Sequence, residues 1–455
     1  MARPYLDTLP AGRSSMRKGD PKVIRAWTMY DWANSSYSLT ITSAVFPLYY
    51  AGITVTDGFD KVADTYGIPA DSLQSYALSA GFLIVALIAP LLSGIADHRG
   101  NKLDYLKFFC YLGAASCAGL YFFQFDTLLL GLGLFMLACI GFSGSLIFYD
   151  AFLPEIAEPK DHDRVSARGY IMGYIGSVLL LIMNLLMVMM PAKFGLEDSG
   201  EAARISFLTV GIWWAGWAQV AFRKLPRSAP RKNNGVNVFT SGYRELRKVQ
   251  QQLRHTVRLK RFLAAFFIYN MGIQTVMYLA VSFATKEIRD IDAQGNTVPI
   301  GDDSLIISIL LIQVVAAVGA FLFTKLSARF GNLRALGIGV AAWMGICLAA
   351  YFTHWAHEFY ILASCVGLVM GGCQALSRST YSKFLPETDD HASYFSFYDV
   401  SYYLGTVLGT LAYGLVYQLT GDLRYTVIAI GSFFVVGFLL LLRVPKEEVR
   451  PATVR

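Results

Sequence analysis

The stretch Tyr30–Tyr50 reads YDWANSSYSLTITSAVFPLYY, and it decides how the rest of the chain can fold. As a helix it is long enough to cross a hydrocarbon core of roughly 30 Å. Its polar residues share one face at helical spacing: Asp31, Asn34, Ser35, Ser38 and Thr42. A charged side chain facing lipid costs several kcal/mol, so this face must turn toward protein or water. The stripe is therefore either a hydrogen-bonding seam between helices or the wall of a polar pathway.

The composition of the chain indicates a membrane protein. Of its 455 residues 55% are hydrophobic and 16% are charged, and the mean hydropathy is +0.45. A soluble domain carries about 25% charged residues, and the apolar residues here come in long segments. The six cysteines lie within these segments and form no CxxC pair, and the six histidines are scattered. This pattern predicts no disulfide, no metal and no cofactor.

Twelve segments have the length of a spanning helix. They are 26–50, 73–95, 104–124, 127–152, 166–191, 204–223, 261–285, 304–326, 333–353, 357–383, 393–419 and 424–443. Most of the 39 Lys and Arg residues then fall on one side, so the positive-inside rule predicts that both termini are cytoplasmic. The net charge of +7 is accordingly a topology signal, and no nucleic-acid partner is predicted.

A four-residue motif recurs at equivalent places in the two halves of the chain. Phe152-Leu153-Pro154-Glu155 closes the fourth segment and Phe384-Leu385-Pro386-Glu387 closes the tenth, and a Gly- and Tyr-rich segment follows each. Two parallel six-helix halves are typical of major-facilitator transporters. The predicted fold is an all-α membrane protein with twelve transmembrane helices. Its predicted parts are an N-terminal tail (1–25), a first half (26–223), a linker (224–260), a second half (261–443) and a C-terminal tail (444–455).

The linker is basic, and its apolar residues recur at helical spacing: Tyr243, Leu246, Val249, Leu253 and Val257. A basic amphipathic helix on the inner leaflet fits this pattern. A regulatory protein-binding helix is the alternative.

The loop between the second and third segments has the form G-x-x-D-x-x-G-x-K, with Gly94, Asp97, Gly100 and Lys102. It resembles the G-x-x-D-x-x-G-x-[RK] loop of the major facilitator superfamily, in which glycines allow a tight turn and the acid can meet a cation or a helix N-terminus. We expect a role in conformational gating. The equivalent loop after the eighth segment has Ala328 where the acid would stand.

Three motifs together resemble the vacuole-effluxer-like, autophagy-related branch of that superfamily. They are Tyr30–Ser35, then Phe152–Glu155 with Arg164–Ser166 and Gly169-Tyr170, and finally Gly371–Ser379. The resemblance covers about residues 25–443 and implies a twelve-helix transporter. Fungal members of this branch export amino acids from the vacuole, and bacterial members are mostly undefined. Asn270 is a departure, since many relatives carry an acid there. The outer side has no Asn-x-Ser/Thr sequon, which favours a bacterial cell membrane.

Four ionisable residues inside the predicted spans are candidates for proton coupling or gating: Asp31, Asp150, Arg378 and Asp399. Arg378 and Asp399 could pair across neighbouring helices, either as a structural pair or as one that breaks during gating. Asp31 is the preferred coupling candidate. Burial raises the pKa of a carboxylate and a nearby cation lowers it, so its protonation state could change with access.

Six polar residues are predicted to line the substrate pathway without fixed charge: Asn34, Tyr37, Asn270, Gln274, Tyr278 and Gln374. Helices one and seven are symmetry mates that flank the central cavity of such a fold. Hydrogen-bonding groups of this kind suit a small zwitterionic or polar solute.

These observations predict a secondary active transporter that exports a small polar metabolite, an amino acid by resemblance, by alternating access and with proton coupling. The predicted partners are a small-molecule substrate and the bilayer, and the protein is expected to be a monomer. The chain shows none of the HExxH, GxSxG or P-loop motifs, which disfavours an enzyme or a primary pump. A lipid or lysolipid exporter and a non-transporting receptor or scaffold remain alternatives.

Overall fold

The computed structural model describes residues 18–56, 58–227, 238–291 and 295–446. Most of the two predicted tails lies outside these residues. The described part is predominantly helical, with two short β-hairpins.

The first predicted span is a continuous helical rod built from three pieces. Helix α1 (Pro21–Ser36) passes into a π-helical segment (Tyr37–Val45) and then into α2 (Phe46–Thr54). Hydroxyl groups in this stretch donate to backbone carbonyls, and Ser43 Oγ donates to the carbonyl of Ser38 at 2.9 Å. Such back-bonding, together with Pro47 near the start of α2, favours a locally widened helix.

The remaining helices of the first half are α3 (Lys61–Tyr66), α4 (Ala70–Arg99), α5 (Lys102–Gly119), α6 (Leu128–Asp150), α7 (Leu153–Ile156), α8 (His162–Met189) and α9 (Ser199–Phe222). Strands β1 (Val55–Thr56) and β2 (Phe59–Asp60) form the first antiparallel hairpin. Gly100, at a φ of 69°, ends α4 and donates to the carbonyl of Ala96 at 2.8 Å. This left-handed conformation is the reason that glycine is needed in the tight turn to α5.

The second half contains α11 (Val257–Glu287), α12 (Asp302–Phe330), α13 (Asn332–Phe352), α14 (Ala356–Phe384), α15 (His391–Thr420) and α16 (Leu423–Leu442). Strands β3 (Arg289–Ile291) and β4 (Thr297–Pro299) form the second hairpin.

A helical segment lies at each of the twelve predicted spans. Within the described residues, eight helices are long and apolar enough to cross a membrane, and a ninth span results if α11, bent by 51°, counts as one. The twelve spans and the cytoplasmic termini therefore stay predictions.

The two halves meet along a pseudo-symmetric seam. Helix α8 of the first half packs against α12 and α14, and α15 of the second half packs against α4 and α6. At one face of the bundle α1, α8 and α15 begin while α4, α6 and α14 end, and we call this the gate face. The sequence predicts that the gate face is cytoplasmic.

The predicted linker helix is present as α10 (Val238–His255). It packs against α4, α11 and α15, and Val249 is buried. Lys248 Nζ donates to Asp390 Oδ2 at 2.7 Å, and Tyr394 OH donates to Gln252 Oε1 at 2.9 Å. The helix thus contacts both halves at the gate face, while its placement on a lipid leaflet stays a prediction.

Candidate functional site

Arg378 on α14 is the central side chain of a buried ionic cluster. Its Nη2 donates to Asp31 Oδ2 at 3.2 Å, and its Nη1 donates to Asp150 Oδ1 at 3.0 Å. Asp31 lies on α1 and Asp150 ends α6, so one cation of the second half joins two acids of the first. The arginine is only 1% exposed, and a charge at that depth must be paired.

Other groups of the first half complete the surroundings of this guanidinium. Its Nε donates to Ser166 Oγ at 3.0 Å, and its Nη2 also donates to the Ser166 carbonyl at 2.9 Å. The guanidinium lies over the rings of Tyr170 and Trp27, at 4.2 and 4.9 Å from their centroids. All of these partners belong to α1, α6 and α8. We call Arg378, Asp31, Asp150 and Ser166 the charge layer.

Asp31 is held in place by its own set of neighbours. Tyr149 OH donates to Asp31 Oδ2 at 2.7 Å, and Trp27 Nε1 donates to the Tyr149 carbonyl at 3.0 Å. Gly169 faces the same carboxylate, and a Cβ there would collide with Asp31 Oδ2 and lie 2.8 Å from Arg378 Nη2. The glycine therefore makes room for the ion pair in addition to letting α8 pack closely on α1.

The expected pairing of Arg378 with Asp399 is wrong for this conformation. Arg378 points across the seam to Asp31 and Asp150, and no ion pair of Asp399 is found within the described residues. Asp399 is 4% exposed, and its Oδ2 has no hydrogen-bond partner there. Two acids placed together on the opposite half attract the arginine more strongly than one acid on its own half.

A second polar group, which we call the amide–phenol layer, lies one helical turn along α14 from Arg378. Tyr174 OH on α8 donates to Gln374 Oε1 at 2.8 Å. Tyr402 OH on α15 donates to Gln274 Oε1 at 2.8 Å, and Gln274 Nε2 donates to Asn270 Oδ1 at 3.2 Å. Two of the predicted pathway residues, Gln374 and Gln274, thus accept from tyrosines that the sequence did not single out as pathway residues, and a third, Asn270, accepts from Gln274. The layer contains hydrogen-bonding groups from both halves and no charge.

The other predicted pathway residues are distributed around this layer. Tyr37 packs against the rings of Phe142 and Trp214, inside the first half. Tyr278 contacts Phe82 of the first half edge to face. Asn34 is buried, and its Nδ2 has no hydrogen-bond partner within the described residues, as is the case for Asn270 Nδ2.

The predicted loop motif closes one side of the gate face. Asp97 accepts hydrogen bonds from the backbone N–H groups of Ala392 and Ser393 at 3.2 and 2.7 Å. These groups lie in the first turn of α15, where N–H groups lack helical partners and a carboxylate is favoured. Lys102 forms an ion pair with Glu155, and Glu155 also contacts His391 Nδ1 at 3.0 Å. Gly94 is buried near the end of α4.

A different acid closes the pseudo-symmetric side, and no sequence motif indicates it. Asp163 in the first turn of α8 accepts from Ser327 Oγ at 2.9 Å, from Asn332 Nδ2 at 2.7 Å and from Lys383 Nζ at 2.7 Å. Ala328 stands at the position equivalent to Asp97, so this position has no carboxylate. Ala328 lies in the last turn of α12, and the acid of this contact lies instead on α8, which packs against α12.

The described residues contain no group of three or more His, Cys, Asp or Glu side chains arranged to hold a metal ion. The arrangement as a whole is a seam between two halves. It holds a charge layer, an amide–phenol layer and two closed contacts at the gate face.

Comparison with known proteins identifies the family. The model of the family described as "Vacuole effluxer Atg22 like" matches residues 19–453. The MFS-type transporter YxiO of Bacillus subtilis is 32% identical over 434 residues, covering 95% of this chain and 97% of the relative. Autophagy-related protein 22 of Saccharomyces cerevisiae is 24% identical over 499 residues, covering 93% of this chain and 90% of the relative.

Solved transporter structures share the fold. The fucose:proton symporter FucP of Escherichia coli has a TM-score of 0.66 at 14% identity, covering 94% of this chain and 98% of that chain. The proton:xylose symporter XylE has a TM-score of 0.67 at 14% identity, covering 93% and 95%. The protein is an integral membrane transporter of the major facilitator superfamily, and it belongs to the vacuole effluxer Atg22-like family.

Proposed function

We propose that this transporter exports a small zwitterionic metabolite, an amino acid, across a bacterial cell membrane in exchange for protons. The observation that carries the proposal is the ion pairing of Arg378 with Asp31 and Asp150 across the seam. Alternating access separates the two halves at one face, so this cluster must break in every cycle. A buried charge that loses its partner is costly, so a proton bound or released by a carboxylate of this cluster would offset the change in charge pairing.

The amide–phenol layer supports a small polar solute. Its side chains offer both donors and acceptors, from Tyr174 and Gln374 at one place and from Tyr402 and Gln274 at another. A site without fixed charge that lies beside one arginine and two acids suits a molecule with both an ammonium and a carboxylate group. Uncompensated single charges would fit such a place poorly.

The gate-face contacts correspond to one state of the proposed export cycle. If this face is cytoplasmic, as the distribution of Lys and Arg predicts, the described conformation is closed toward the cytoplasm by Asp97 and Asp163. Protons entering from outside would then act on a carrier that has already released its solute outward.

The test is flux in proteoliposomes loaded with a mixture of labelled amino acids under an imposed pH gradient. Wild type is compared with Asp31→Asn and with Asp161→Asn, a matched control whose acid forms an exposed pair with Arg164. We expect gradient-driven flux in wild type and in the control, and its loss in Asp31→Asn. Retained gradient-driven flux in Asp31→Asn would remove this ion pair from the coupling.

Folded wild-type protein that moves no amino acid in either direction would overturn the proposed substrate. The same vesicles loaded with labelled lysolipid then test the lipid exporter.

A further inference from the structure

Asp399 is a buried acid that the ion pairing described above leaves out. It lies on α15, it is 4% exposed, and its Oδ2 has no hydrogen-bond partner within the described residues. The charged groups that act on it are Asp150 of α6 and Arg378 of α14. An ionised carboxylate in this place would lie near a second acid and would share Arg378 with Asp31 and Asp150, which already bind it. Such an arrangement is unfavourable in a protein interior.

Opening of the gate face changes which acid is within reach of Arg378. Its partners Asp31, Asp150 and Ser166 all belong to the first half, and they move away when the halves separate. Asp399 belongs to the second half, on the helix that follows α14 in the chain, and therefore stays with the arginine. Arg378, separated from its two acids, and Asp399 would then remain together in the second half.

From this geometry we infer that Asp399 is the proton-binding residue of the transport cycle and that Arg378 changes partners between the halves. With the gate face closed, Asp399 is neutral and Arg378 binds Asp31 and Asp150. With the gate face open, Asp399 releases its proton to water at that face and its carboxylate binds Arg378. Asp31 then acts as a positioning residue for the closed state. The inference rests on the proton coupling of the proposed function.

The titratable groups around Asp399 are few enough to be separated by mutation. Besides Asp150 and Arg378, they are the phenols of Tyr381 on α14 and of Tyr398, Tyr402 and Tyr403 on α15, whose electrostatics include Asp399. On α11 the nearby phenol is that of Tyr269, which acts on Tyr398. On α4 and α10, Asp97 and Lys248 contact the start of α15, about two helical turns before Asp399.

The test measures the width of the gate face and needs no substrate. Spin labels are attached at Arg99→Cys and Arg329→Cys, which are exposed near the ends of α4 and α12 in opposite halves. The exposed Cys365 is replaced by serine. The other five cysteines are buried, and a protein that carries only these five is used to check that they do not react with the label. Distance distributions are recorded in lipid nanodiscs as the pH is raised.

Wild type is expected to shift from a short to a long distance as the pH rises, because the closed form holds one more proton. One linked proton changes the open-to-closed ratio by up to about tenfold per pH unit. Asp399→Asn is expected to keep the short distance at every pH, and Asp399→Glu is expected to restore the shift. Glu287→Gln is the control, since its ion pair with Arg424 lies far from the gate face, and it should behave as wild type.

Two results would overturn the inference: a pH-independent distance in wild type, or an unchanged pH-dependent shift in Asp399→Asn. If the asparagine variant fails to fold, Asp399→Ser supplies the same neutral test with a smaller side chain. Because the readout is a distance, absent amino-acid flux would contradict the proposed substrate without affecting this result.

Discussion

Arg378 donates a hydrogen bond to Asp31, a residue that lies 347 positions earlier in the chain and in the other half of the molecule. Asp150 binds the same guanidinium, and both acids are buried. A buried ionic contact between the halves is thus made at residues that an alternating-access cycle would separate. The predictions below follow from this arrangement.

Removal of the arginine should destabilise the protein. Arg378→Met leaves Asp31 and Asp150 without their cation, and breaking a buried pair from one side costs about 3–5 kcal/mol. We expect a lower unfolding temperature in detergent and no flux. The control is Arg164→Met, whose exposed pair with Asp161 is worth about 0–1 kcal/mol.

The same measurement has an internal check. Adding Asp31→Asn and Asp150→Asn to Arg378→Met removes the uncompensated acids, so part of the unfolding temperature should return. A combined variant as unstable as Arg378→Met alone would show that the loss comes from packing.

Gly169 should tolerate no side chain. A Cβ in Gly169→Ala collides with Asp31 Oδ2 and crowds Arg378 Nη2, and overpacking of this kind costs about 1–3 kcal/mol. We expect reduced thermal stability and reduced flux. Gly345→Ala on α13 is the control, because nothing lies within 4 Å of its added carbon. That variant should be as stable as wild type or more so, and equal behaviour of the two would contradict the proposed close approach.

Loss of Asp163 should open the gate face. Asp163→Ala removes the acceptor of Ser327, Asn332 and Lys383, so the closed form loses contacts that the open form does not make. The measurement is the alkylation rate of a cysteine placed at Ser382, which is buried near the end of α14. We expect faster alkylation in Asp163→Ala than in the parent. Asp161→Ala removes a neighbouring acid that forms an exposed ion pair with Arg164, and it should leave the rate unchanged. A similar rate in all three proteins would argue against a gating contact.

Gln374 should affect the substrate more than the fold. Gln374→Leu removes the acceptor of Tyr174 OH, and a single hydrogen bond contributes about 0.5–1.5 kcal/mol. A bound solute that shares this site should show a half-saturation concentration higher by about 2- to 12-fold. Gln219→Leu is the matched control, because Gln219 also bonds a tyrosine hydroxyl, that of Tyr111, at an exposed position. A rise in both variants would point to a general effect on the protein.

The polar face of the first span indicated where the functional cluster would be, but the chain order could not assign the partners. Gln374 and Arg378 lie one helical turn apart on α14, and both residues contact the opposite half. The neighbourhood of α14 and α15 suggested Asp399 as the partner of Arg378. The structure pairs the arginine with two acids whose helices are remote in sequence, because a guanidinium can bind two carboxylates at once.

Residues that act only through contacts across the seam were the ones that motif reasoning missed. Asp163 and Lys383 have no motif of their own, and Tyr174 and Tyr402 resemble ordinary packing aromatics within their helices. Ala328 was the one sign that a compensating acid had to be sought elsewhere.

The sequence by itself determined the membrane class and the family, and it predicts two six-helix halves, because apolar length, charge asymmetry and motif spacing are properties of neighbouring residues. Tertiary structure decided which acids Arg378 binds, which acid makes the contact at the end of α12, and that Asp399 Oδ2 has no hydrogen-bond partner within the described residues. Those choices depend on distances between helices that the chain joins only through long connections, and burial in a membrane protein makes each of them energetically decisive.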